Sequence, residues 1–182
     1  MAVRCVLGYT DWLLRALQVS YNTCFPMGTS PVQAPAIDQR FACYKLAIRR
    51  SRIHRYGVYA EEHIPANRKV IEYTGERVNR HIAKQRGHGD FTYLFAVDRY
   101  WTLDGAVGGS GAEIINHCCD PNLISRVMKG HVLYMSLREV LPGEELTIDY
   151  NFDTRIERTP CCCGAPECRG TINKYKRPPK IG

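Results

Sequence analysis

The stretch 115–122, which reads Ile-Asn-His-Cys-Cys-Asp-Pro-Asn, constrains this chain more strongly than any other part of the sequence. It places an amide, an imidazole and two thiols in four consecutive positions, and the Asp-Pro pair that follows interrupts regular secondary structure. A polar turn after a buried strand is one interpretation of such a run. The other is a chemical site, because amide, imidazole and thiol groups bind cofactors and metals.

Two later stretches favour the chemical site. Residues 145–150 read Glu-Leu-Thr-Ile-Asp-Tyr, and residues 161–168 carry three cysteines at Cys-x-Cys-x4-Cys spacing. In this order, Asn-His-x-Cys-x-Pro-Asn, Glu-Leu-Thr-x-Asp-Tyr and the cysteine run resemble the SET-domain lysine methyltransferases with a post-SET zinc segment, and most of all their trithorax-like branch. The stretches 50–54 and 70–76 also match, so the resemblance covers roughly residues 51–173.

The apolar pattern predicts a β-rich domain with short helices. Short apolar runs between turn residues predict strands at 46–49, 57–60, 69–73, 92–97, 101–103 and 146–149, and a hairpin of 123–127 with 131–137. Val78, Ile82 and Gln85 recur at helical spacing, which predicts a helix over 77–86. A short amphipathic helix is predicted at 11–19, and 28–36 has the composition of a linker.

The resemblance implies a mainly β fold with short helices (α+β), the β-clip architecture of the SET domain. It also implies a knot-like threading that brings the segment around residue 116 to the segment around residue 150, and a C-terminal tail held by zinc. We therefore divide the chain into a leader and linker of unknown function at 1–43, a SET domain at 44–153, and a post-SET zinc segment with a basic tail at 154–182.

The function that the resemblance implies is transfer of methyl groups from S-adenosylmethionine to a lysine side chain of a protein, above all a histone. Such an in-line displacement needs two aligned substrates and exclusion of water rather than a protein nucleophile. In the family, the position of Tyr150 orients the amine and that of Tyr73 lines the lysine channel. Ile148 stands where related enzymes carry a tyrosine or phenylalanine that limits the number of methyl groups. Ordinary strand packing is the alternative for all three.

Six residues match family positions that serve the cofactor. They are His54, Tyr56, Tyr93, Asn116, His117 and Ile172. The amide of Asn116 offers both a donor and an acceptor. A hydrogen-bonded core histidine is the alternative interpretation of His117, and an ordinary strand aromatic is the alternative for Tyr93.

The cysteine run indicates a metal site. Cys161, Cys163 and Cys168 are one thiolate short of a structural zinc site. In the family the fourth ligand comes from the Asn-His-x-Cys stretch, where this chain has Cys119, so the resemblance implies a Zn²⁺ ion bound by four thiolates. Unliganded thiols are the alternative, and the neighbouring Cys118 and Cys162 add a risk of oxidation or ligand exchange.

Three residues depart from the family pattern. Arg55 stands at the first glycine of a Gly-x-Gly pair of which only Gly57 is kept, Cys118 replaces a serine, and Glu113 replaces a basic residue. Arg55 and Glu113 make an alternative from another class credible, a catalytically weak SET-like module that binds chromatin or nucleic acid. Binding of S-adenosylmethionine distinguishes the two.

The net charge of +7 comes largely from two clusters, at 40–55 and 169–180, which contain no acidic residue. They predict contact with a nucleosome or nucleic acid, although a solvated basic surface has the same composition.

The cysteine count and the N-terminal stretch bear on compartment and partners. Nine cysteines are an odd number, and the absence of a clean signal peptide favours a reducing compartment. Asp11 and Arg15 interrupt the apolar stretch near the start, so no transmembrane helix is expected. We expect a monomer without membrane association, at chromatin in the nucleus of a eukaryote or in the cytoplasm of a bacterium.

Overall fold

The computed structural model describes residues 35–87, 92–153 and 158–174. The predicted helix at 11–19 and most of the linker lie outside these ranges. Within them the strands are β1 Leu46–Arg50, β2 Tyr56–Ala60, β3 Lys69–Tyr73, β4 Glu76–Asn79, β5 Leu94–Ala96, β6 Trp101–Asp104, β7 Asn116–His117, β8 Leu123–Met128, β9 His131–Ser136 and β10 Glu145–Ile148. The α-helix α1 spans Arg80–Arg86, and a 3-10 turn spans Ala112–Ile114. The predicted mainly β class is confirmed.

The larger sheet is organised around β10. Its strand order is β1-β2-β10-β8-β9-β3, and the two-residue strand β7 also pairs with β10. β10 is antiparallel to β2 but parallel to β7 and β8, with Thr147 opposite Asn116 and Ile148 opposite Leu123. β10 therefore pairs with strands from three separate stretches of the chain. The residues on the two sides of β10 come from distant parts of the sequence.

The core lies on the inner face of this sheet. In β9, Val132, Tyr134 and Ser136 are buried and alternate with more exposed residues, as expected for a strand with one face turned to the core. Fully buried aliphatic side chains from other strands meet them, including Ile71 and Leu146. Each such side chain stabilises the fold by about 1.5–3 kcal/mol. The predicted hairpin is confirmed, with β8 and β9 paired from Leu123 to Met128.

The smaller sheet, in the order β4-β6-β5, carries the helix. The predicted helix over 77–86 is wrong at its start, because Val78 is a buried strand residue opposite Thr102. Asn79 caps α1 by accepting hydrogen bonds from the backbone N–H groups of residues 81 and 82, so helical geometry begins only at Arg80. The buried residue of α1 is Ala83 rather than Ile82, which is 36% exposed. In the part of the chain that the structure describes, no helix is long and apolar enough to cross a membrane.

The turn between β1 and β2 determines how closely two polar side chains approach the backbone. Arg55 has a φ of 41°, a left-handed conformation that costs a residue with a Cβ atom about 1–2 kcal/mol. Two residues later, a Cβ atom on Gly57 would lie 2.2 Å from Oε1 of Glu145 and 3.2 Å from Nδ2 of Asn116. The first glycine position of the Gly-x-Gly pair thus tolerates arginine at a cost in backbone strain, whereas Gly57 leaves space for Glu145 and Asn116.

We predict that Gly57→Ala destabilises the protein by about 1–3 kcal/mol, because the added methyl group displaces the Glu145 carboxylate. Denaturant unfolding measures this loss. In a Glu145→Ala background the same substitution should cost less, since its main steric partner is gone. An equal cost in both backgrounds would contradict this explanation.

Candidate functional site

Asn116 is held beside β2 by a network centred on Glu145. The Asn116 amide, in a residue that is 6% exposed, donates to Oε1 of Glu145 at 2.8 Å and to the Tyr56 carbonyl at 2.9 Å. Its distance to the His54 carbonyl is 3.3 Å. Asn116, His54 and Tyr56, three of the predicted cofactor residues, therefore lie together. His54 and Tyr56 contact the Asn116 amide through their backbone carbonyls.

A second asparagine joins the same stretch to β10. Asn122 is almost fully buried, and its Nδ2 donates to the Glu145 carbonyl at 2.8 Å while its Oδ1 accepts from the Thr147 N–H at 2.8 Å. A buried amide with both ends bonded to one strand fixes the separation of the two chain segments. Sequence reasoning missed Asn122, although its place in the Asp-Pro-Asn turn was a usable signal.

His117 links Tyr150 to the cysteines. The Tyr150 backbone N–H donates to Nδ1 at 3.2 Å, so the proton of the neutral ring resides on Nε2, which lies 3.4 Å from the Cys119 sulfur. Burial lowers the pKa of His117, and nearby Arg169 lowers it further against the opposing effect of Asp149. His117 is therefore a buried, hydrogen-bonded histidine.

The ring of Tyr150 is partly exposed, whereas its hydroxyl is hydrogen-bonded to the backbone. The hydroxyl donates to the Ile115 carbonyl at 3.0 Å. The ring stacks on Phe152 with centroids 5.7 Å apart, and it contacts His117 at 5.4 Å. Burial raises the pKa of Tyr150 to about 12, so the phenol remains protonated across the physiological range.

Three more aromatic side chains pack against one another, with Tyr73 and Tyr134 buried and Phe95 partly buried. Tyr73 lies 5.4 Å from Phe95 and 6.0 Å from Tyr134, measured between ring centroids. The Tyr73 hydroxyl donates to the Tyr93 carbonyl, which brings that predicted cofactor residue to the cluster. Burial raises the pKa of both Tyr73 and Tyr134. Sequence reasoning missed Tyr134, which alternation along β9 could have placed on the buried face.

Ile148 and Ile172 occupy different environments. Ile148 is 4% exposed and belongs to the main apolar core. Ile172 is partly buried; its carbonyl accepts from the Phe152 N–H at 3.4 Å, and its own N–H donates to the Thr159 carbonyl at 3.1 Å. Because Phe152 stacks on Tyr150, the C-terminal segment passes close to the predicted catalytic tyrosine.

Glu113 lies next to the same aromatic cluster. Its Oε2 accepts from the Gly111 N–H at 2.9 Å, and burial raises its pKa. A Cβ atom on Gly105 would be 2.8 Å from both the Glu113 Cβ and the Tyr73 hydroxyl, so these two groups are near neighbours. The reversed charge at this position therefore lies beside the predicted lysine channel.

Four cysteines form the metal candidate. The sulfurs of Cys119, Cys161, Cys163 and Cys168 all lie within 4.8 Å of one another. Cys119 Sγ is 3.7 Å from Cys161 Sγ and 4.0 Å from Cys168 Sγ. Zinc with four sulfurs at about 2.3 Å in a tetrahedron places those sulfurs roughly 3.8 Å apart, so the set fits zinc.

The surroundings of the sulfurs also fit anionic ligands. Backbone N–H groups point at three of them: from Cys119 to Cys163 at 3.5 Å, from Arg169 to Cys119 at 3.4 Å, and from Gly170 to Cys168 at 3.5 Å. Burial raises the pKa of the Cys119 and Cys161 thiols. At Cys163 burial has the same effect, but hydrogen bonds from backbone N–H groups and from the Cys161 and Cys168 thiols together outweigh it and lower the pKa to about 6. Donors aimed at sulfur favour thiolates, the form that binds metal.

An ion pair connects the cysteine cluster with the strand that ends in Tyr150. Arg169, next to Cys168, donates from Nη1 and Nη2 to the two carboxylate oxygens of Asp149, each at 2.8 Å. Asp149 precedes Tyr150, and its Oδ1 lies 3.5 Å from Nδ1 of His117. Both members of the pair are about one-fifth exposed, at 18% and 22%. The two-point geometry fixes the C-terminal segment against the predicted catalytic tyrosine.

Comparison with known proteins gives a consistent result. The sequence model of the SET domain family matches residues 55–151. The chain is 41% identical over 138 residues, 68% of its length, to the histone-lysine N-methyltransferase, H3 lysine-4 specific, of Saccharomyces cerevisiae, of which it covers 13%. In an alignment of 183 positions that covers 91% of its length, it is 41% identical to the histone-lysine N-methyltransferase ATX2 of Arabidopsis thaliana, of which it covers 17%. Against histone-lysine N-methyltransferase trithorax of Drosophila melanogaster, the identity is 38% over 133 residues, 68% of this chain and 4% of the fly protein. The chain thus spans less than a fifth of the length of these three relatives.

We predict that Cys119→Ser lowers zinc affinity by at least about 100-fold, because even outer partners of metal ligands are worth about 10–100-fold. Elemental analysis after dialysis measures bound zinc, and hydrogen exchange should show loss of protection in 158–174 while the larger sheet stays protected. Cys162→Ser is the matched control, since Cys162 is exposed and outside the cluster. Full zinc content in Cys119→Ser would show that Cys119 is not a ligand.

Proposed function

The chain belongs to the SET domain family, and from this premise we propose that it transfers methyl groups from S-adenosylmethionine to lysine side chains of a histone. The observation that carries the proposal is the assembly around Tyr150, where the buried stretch with Asn116 and His117, the Phe152 ring and the four-cysteine segment converge. The relatives are named as histone-lysine methyltransferases of eukaryotes, which supports a histone substrate and a nuclear location.

The proposed chemistry divides between the cofactor and the protein. When bound, S-adenosylmethionine supplies an electrophilic methyl group to the neutral lysine amine. We assign cofactor binding to His54, Tyr56, Tyr93, Asn116, His117 and Ile172. A free lysine has a pKa of about 10.4, and a channel lined by Tyr73, Phe95 and Tyr134 would lower that pKa by excluding water.

In this proposal Tyr150 orients the amine rather than removing its proton. The raised pKa keeps the phenol neutral, so its oxygen can accept a hydrogen bond from the amine while its proton stays directed at the Ile115 carbonyl. The rate gain then comes from alignment and exclusion of water.

We propose that Cys119, Cys161, Cys163 and Cys168 hold a structural zinc ion. The SET domain would span 44–153, consistent with the pairing of β1 with β2, and the post-SET zinc segment would span 154–182. Zinc would keep Arg169 in place against Asp149, so that a structural metal affects the site through the ion pair. The chain would act as a monomer.

The experiment that tests the function is methylation of a histone peptide array, with mass-spectrometric assignment of the modified lysine. Calorimetry with S-adenosylmethionine is run on the same protein. Cofactor binding together with methyl-lysine on a histone peptide is expected. Neither heat nor methyl-lysine, from protein that is folded and loaded with zinc, would favour the alternative of a chromatin-binding module without activity.

The basic segment 40–55 supports that second function, which can also coexist with catalysis. It includes β1, which is an edge strand of the larger sheet. Arg49 pairs with Glu61 at 2.9 Å, whereas Arg50 lies over the Tyr56 ring at 4.8 Å and Arg52 is exposed. An edge strand lined with arginines next to the proposed cofactor residues suits the phosphates of nucleosomal DNA.

We predict that Arg50→Ala with Arg52→Ala weakens binding to a short DNA duplex and reduces the slope of log K against log salt by about 1 for each DNA phosphate that the variant no longer neutralises. Fluorescence anisotropy across a salt series measures both quantities. Arg138→Ala is the control, because Arg138 is already paired with Glu144 at 2.8 Å. An equal effect of the control would contradict a defined surface at 40–55.

We predict that Tyr150→Phe lowers turnover by about ten- to a thousandfold, the range for loss of one positioning hydrogen bond, with little change in cofactor affinity. Single-turnover kinetics and calorimetry separate the two quantities. Tyr100→Phe, at an exposed residue outside the site, should keep wild-type turnover. Unchanged turnover in Tyr150→Phe would remove Tyr150 from the mechanism.

We predict di- or trimethyl-lysine as the end product, because isoleucine at 148 is smaller than an aromatic residue and has no hydroxyl to anchor a water molecule. Ile148→Tyr should shift the product towards monomethyl-lysine. Ile148 is buried, so the variant's unfolding is measured alongside, and Ile148→Val serves as the apolar control. Time courses with excess cofactor in which the wild type stops at monomethyl-lysine would show that residue 148 does not set the product.

A further inference from the structure

The smaller sheet carries an open cavity that the proposed methyl transfer does not use. Its volume is about 570 Å³. The turn between β5 and β6 and the start of α1 line it, through Asn79, Arg80, His81, Arg99, Tyr100 and Trp101. Two of these residues are arginines, two carry large aromatic rings, and none is acidic. The composition of the lining is therefore both aromatic and positively charged.

Hydrogen bonds hold the two aromatic residues in a fixed turn. Oδ1 of Asp98 accepts from the backbone N–H groups of Tyr100 at 2.7 Å and of Trp101 at 2.8 Å. The Tyr100 carbonyl accepts from the Arg80 N–H at 3.2 Å, which joins the turn to the start of α1. Tyr100 nevertheless remains 58% exposed and Trp101 41% exposed. Both side chains thus keep much of their surface open to solvent although their backbone is held in place.

Arginine guanidinium groups lie over both rings. Cζ of Arg99 is 4.5 Å from the centroid of the Tyr100 ring, and Cζ of Arg77 is 5.3 Å from the centroid of the Trp101 ring. Arg77 lies on the same side of the sheet as Trp101, because Asn79 stands opposite Trp101 and residues two apart in a strand share a face. Cation–π contacts of this kind keep a positive charge next to a ring face.

The positive charge of these arginines is not taken up by ion pairs. Among the residues that the structure describes, no ion pair includes Arg77, Arg80 or Arg99, and all three residues are exposed. Asp98 is the acidic residue of the turn, and one of its oxygens already accepts two backbone N–H groups. Three arginines against one carboxylate leave an excess of positive charge, which attracts anions. We call the three arginines, together with Tyr100 and Trp101, the arginine–aromatic surface.

We propose that the arginine–aromatic surface binds single-stranded nucleic acid, with bases stacked on its two rings and phosphates paired with its guanidinium groups. Every base has a flat face that can stack on an aromatic side chain, and arginines neutralise the charge of the backbone. The inference goes beyond the proposed methyl transfer and does not rest on it.

The combination of exposed rings and arginines favours this ligand over three others. In a duplex the bases are stacked on one another, so they offer no free face to the rings. An acidic peptide would pair with the arginines but would leave Tyr100 and Trp101 uncovered. A methylated ammonium group, which aromatic faces otherwise attract, would be repelled by the guanidinium groups that already lie over the rings.

Binding is measured with the full chain and a fluorescein-labelled uridine oligonucleotide of about 12 nucleotides, within the site sizes of about 4–16 nucleotides of single-strand binders. Fluorescence anisotropy is recorded at about 0.15 M salt, which suppresses binding by charge alone. A duplex of the same length and a polyglutamate peptide serve as unlabelled competitors. Tyr100→Ala and Tyr100→Phe form a matched pair, because only the first loses the ring, and the unfolding of each variant is measured alongside.

The fluorescence of Trp101 reports stacking on an unaltered surface. The chain contains two tryptophans, Trp12 and Trp101. In a Trp12→Phe protein the tryptophan emission comes from Trp101, so quenching by the unlabelled oligonucleotide reports a base at that ring. This measurement tests the proposal even where a substitution within the surface disturbs the fold.

We expect Tyr100→Ala to weaken binding about 5- to 150-fold, the range for loss of one stacked base, and Tyr100→Phe to bind as the wild type does. Arg99→Ala should weaken binding and reduce the slope of log K against log salt by about 0.7. Trp101 emission should be quenched, and Arg50→Ala with Arg52→Ala should leave that quenching unchanged, which separates this surface from the basic segment 40–55.

Four results would each overturn the proposal: wild-type affinity in Tyr100→Ala, no quenching of Trp101, loss of quenching in the Arg50→Ala, Arg52→Ala protein, or tighter binding of the duplex or the polyglutamate peptide than of the single strand. Neither S-adenosylmethionine nor a histone is present in these measurements. A protein without methyltransferase activity therefore leaves their outcome unchanged.

Discussion

The arrangement of the site depends on the hydrogen bonds that the Glu145 carboxylate accepts. The carboxylate accepts from the Ser51 hydroxyl, which lies 2.8 Å from Oε1 and 2.9 Å from Oε2, from the Tyr59 hydroxyl at 3.0 Å and from the Asn116 amide at 2.8 Å. These donors come from the β1–β2 turn, β2 and β7, so one side chain of β10 joins three segments that are far apart in sequence. A buried donor left without its acceptor costs about 1–3 kcal/mol, which makes this carboxylate hard to replace.

Two parts of the site are joined to β10, the strand that carries Glu145. On one side Gly57 lets the β2 backbone approach, and the carbonyls of His54 and Tyr56 come within reach of Asn116. On the other side β10 continues to Asp149 and Tyr150, where Arg169 attaches the cysteine segment. The proposed cofactor side and the proposed metal side are thus connected through a single strand, so the proposed zinc ion would affect the position of Tyr150 through β10.

The sequence predicted several parts of this arrangement, and others were wrong or missed. The strands and the β8–β9 hairpin were predictable because short apolar runs end at turn residues. The helix was predicted three residues too early, since Val78 fits a helical spacing but pairs opposite Thr102, and Asn79 caps the true start. Tyr134 and Asn122 were missed because their roles come from contacts with residues remote in sequence. The threading of one segment through another remains a prediction.

Taken alone, the sequence determined the β-rich class, the family and the residue types available for chemistry, because turn signals, strand patterning and cysteine spacing are local properties. It left the fourth member of the proposed zinc site to resemblance, whereas in the tertiary structure the Cys119 sulfur lies 3.7 Å from the Cys161 sulfur. Only the tertiary structure decided that the Tyr150 hydroxyl donates to the Ile115 carbonyl and that Arg169 binds Asp149. These contacts join positions separated by 20 or more residues, and their distances follow from strand pairing and burial around β10, which no local pattern encodes.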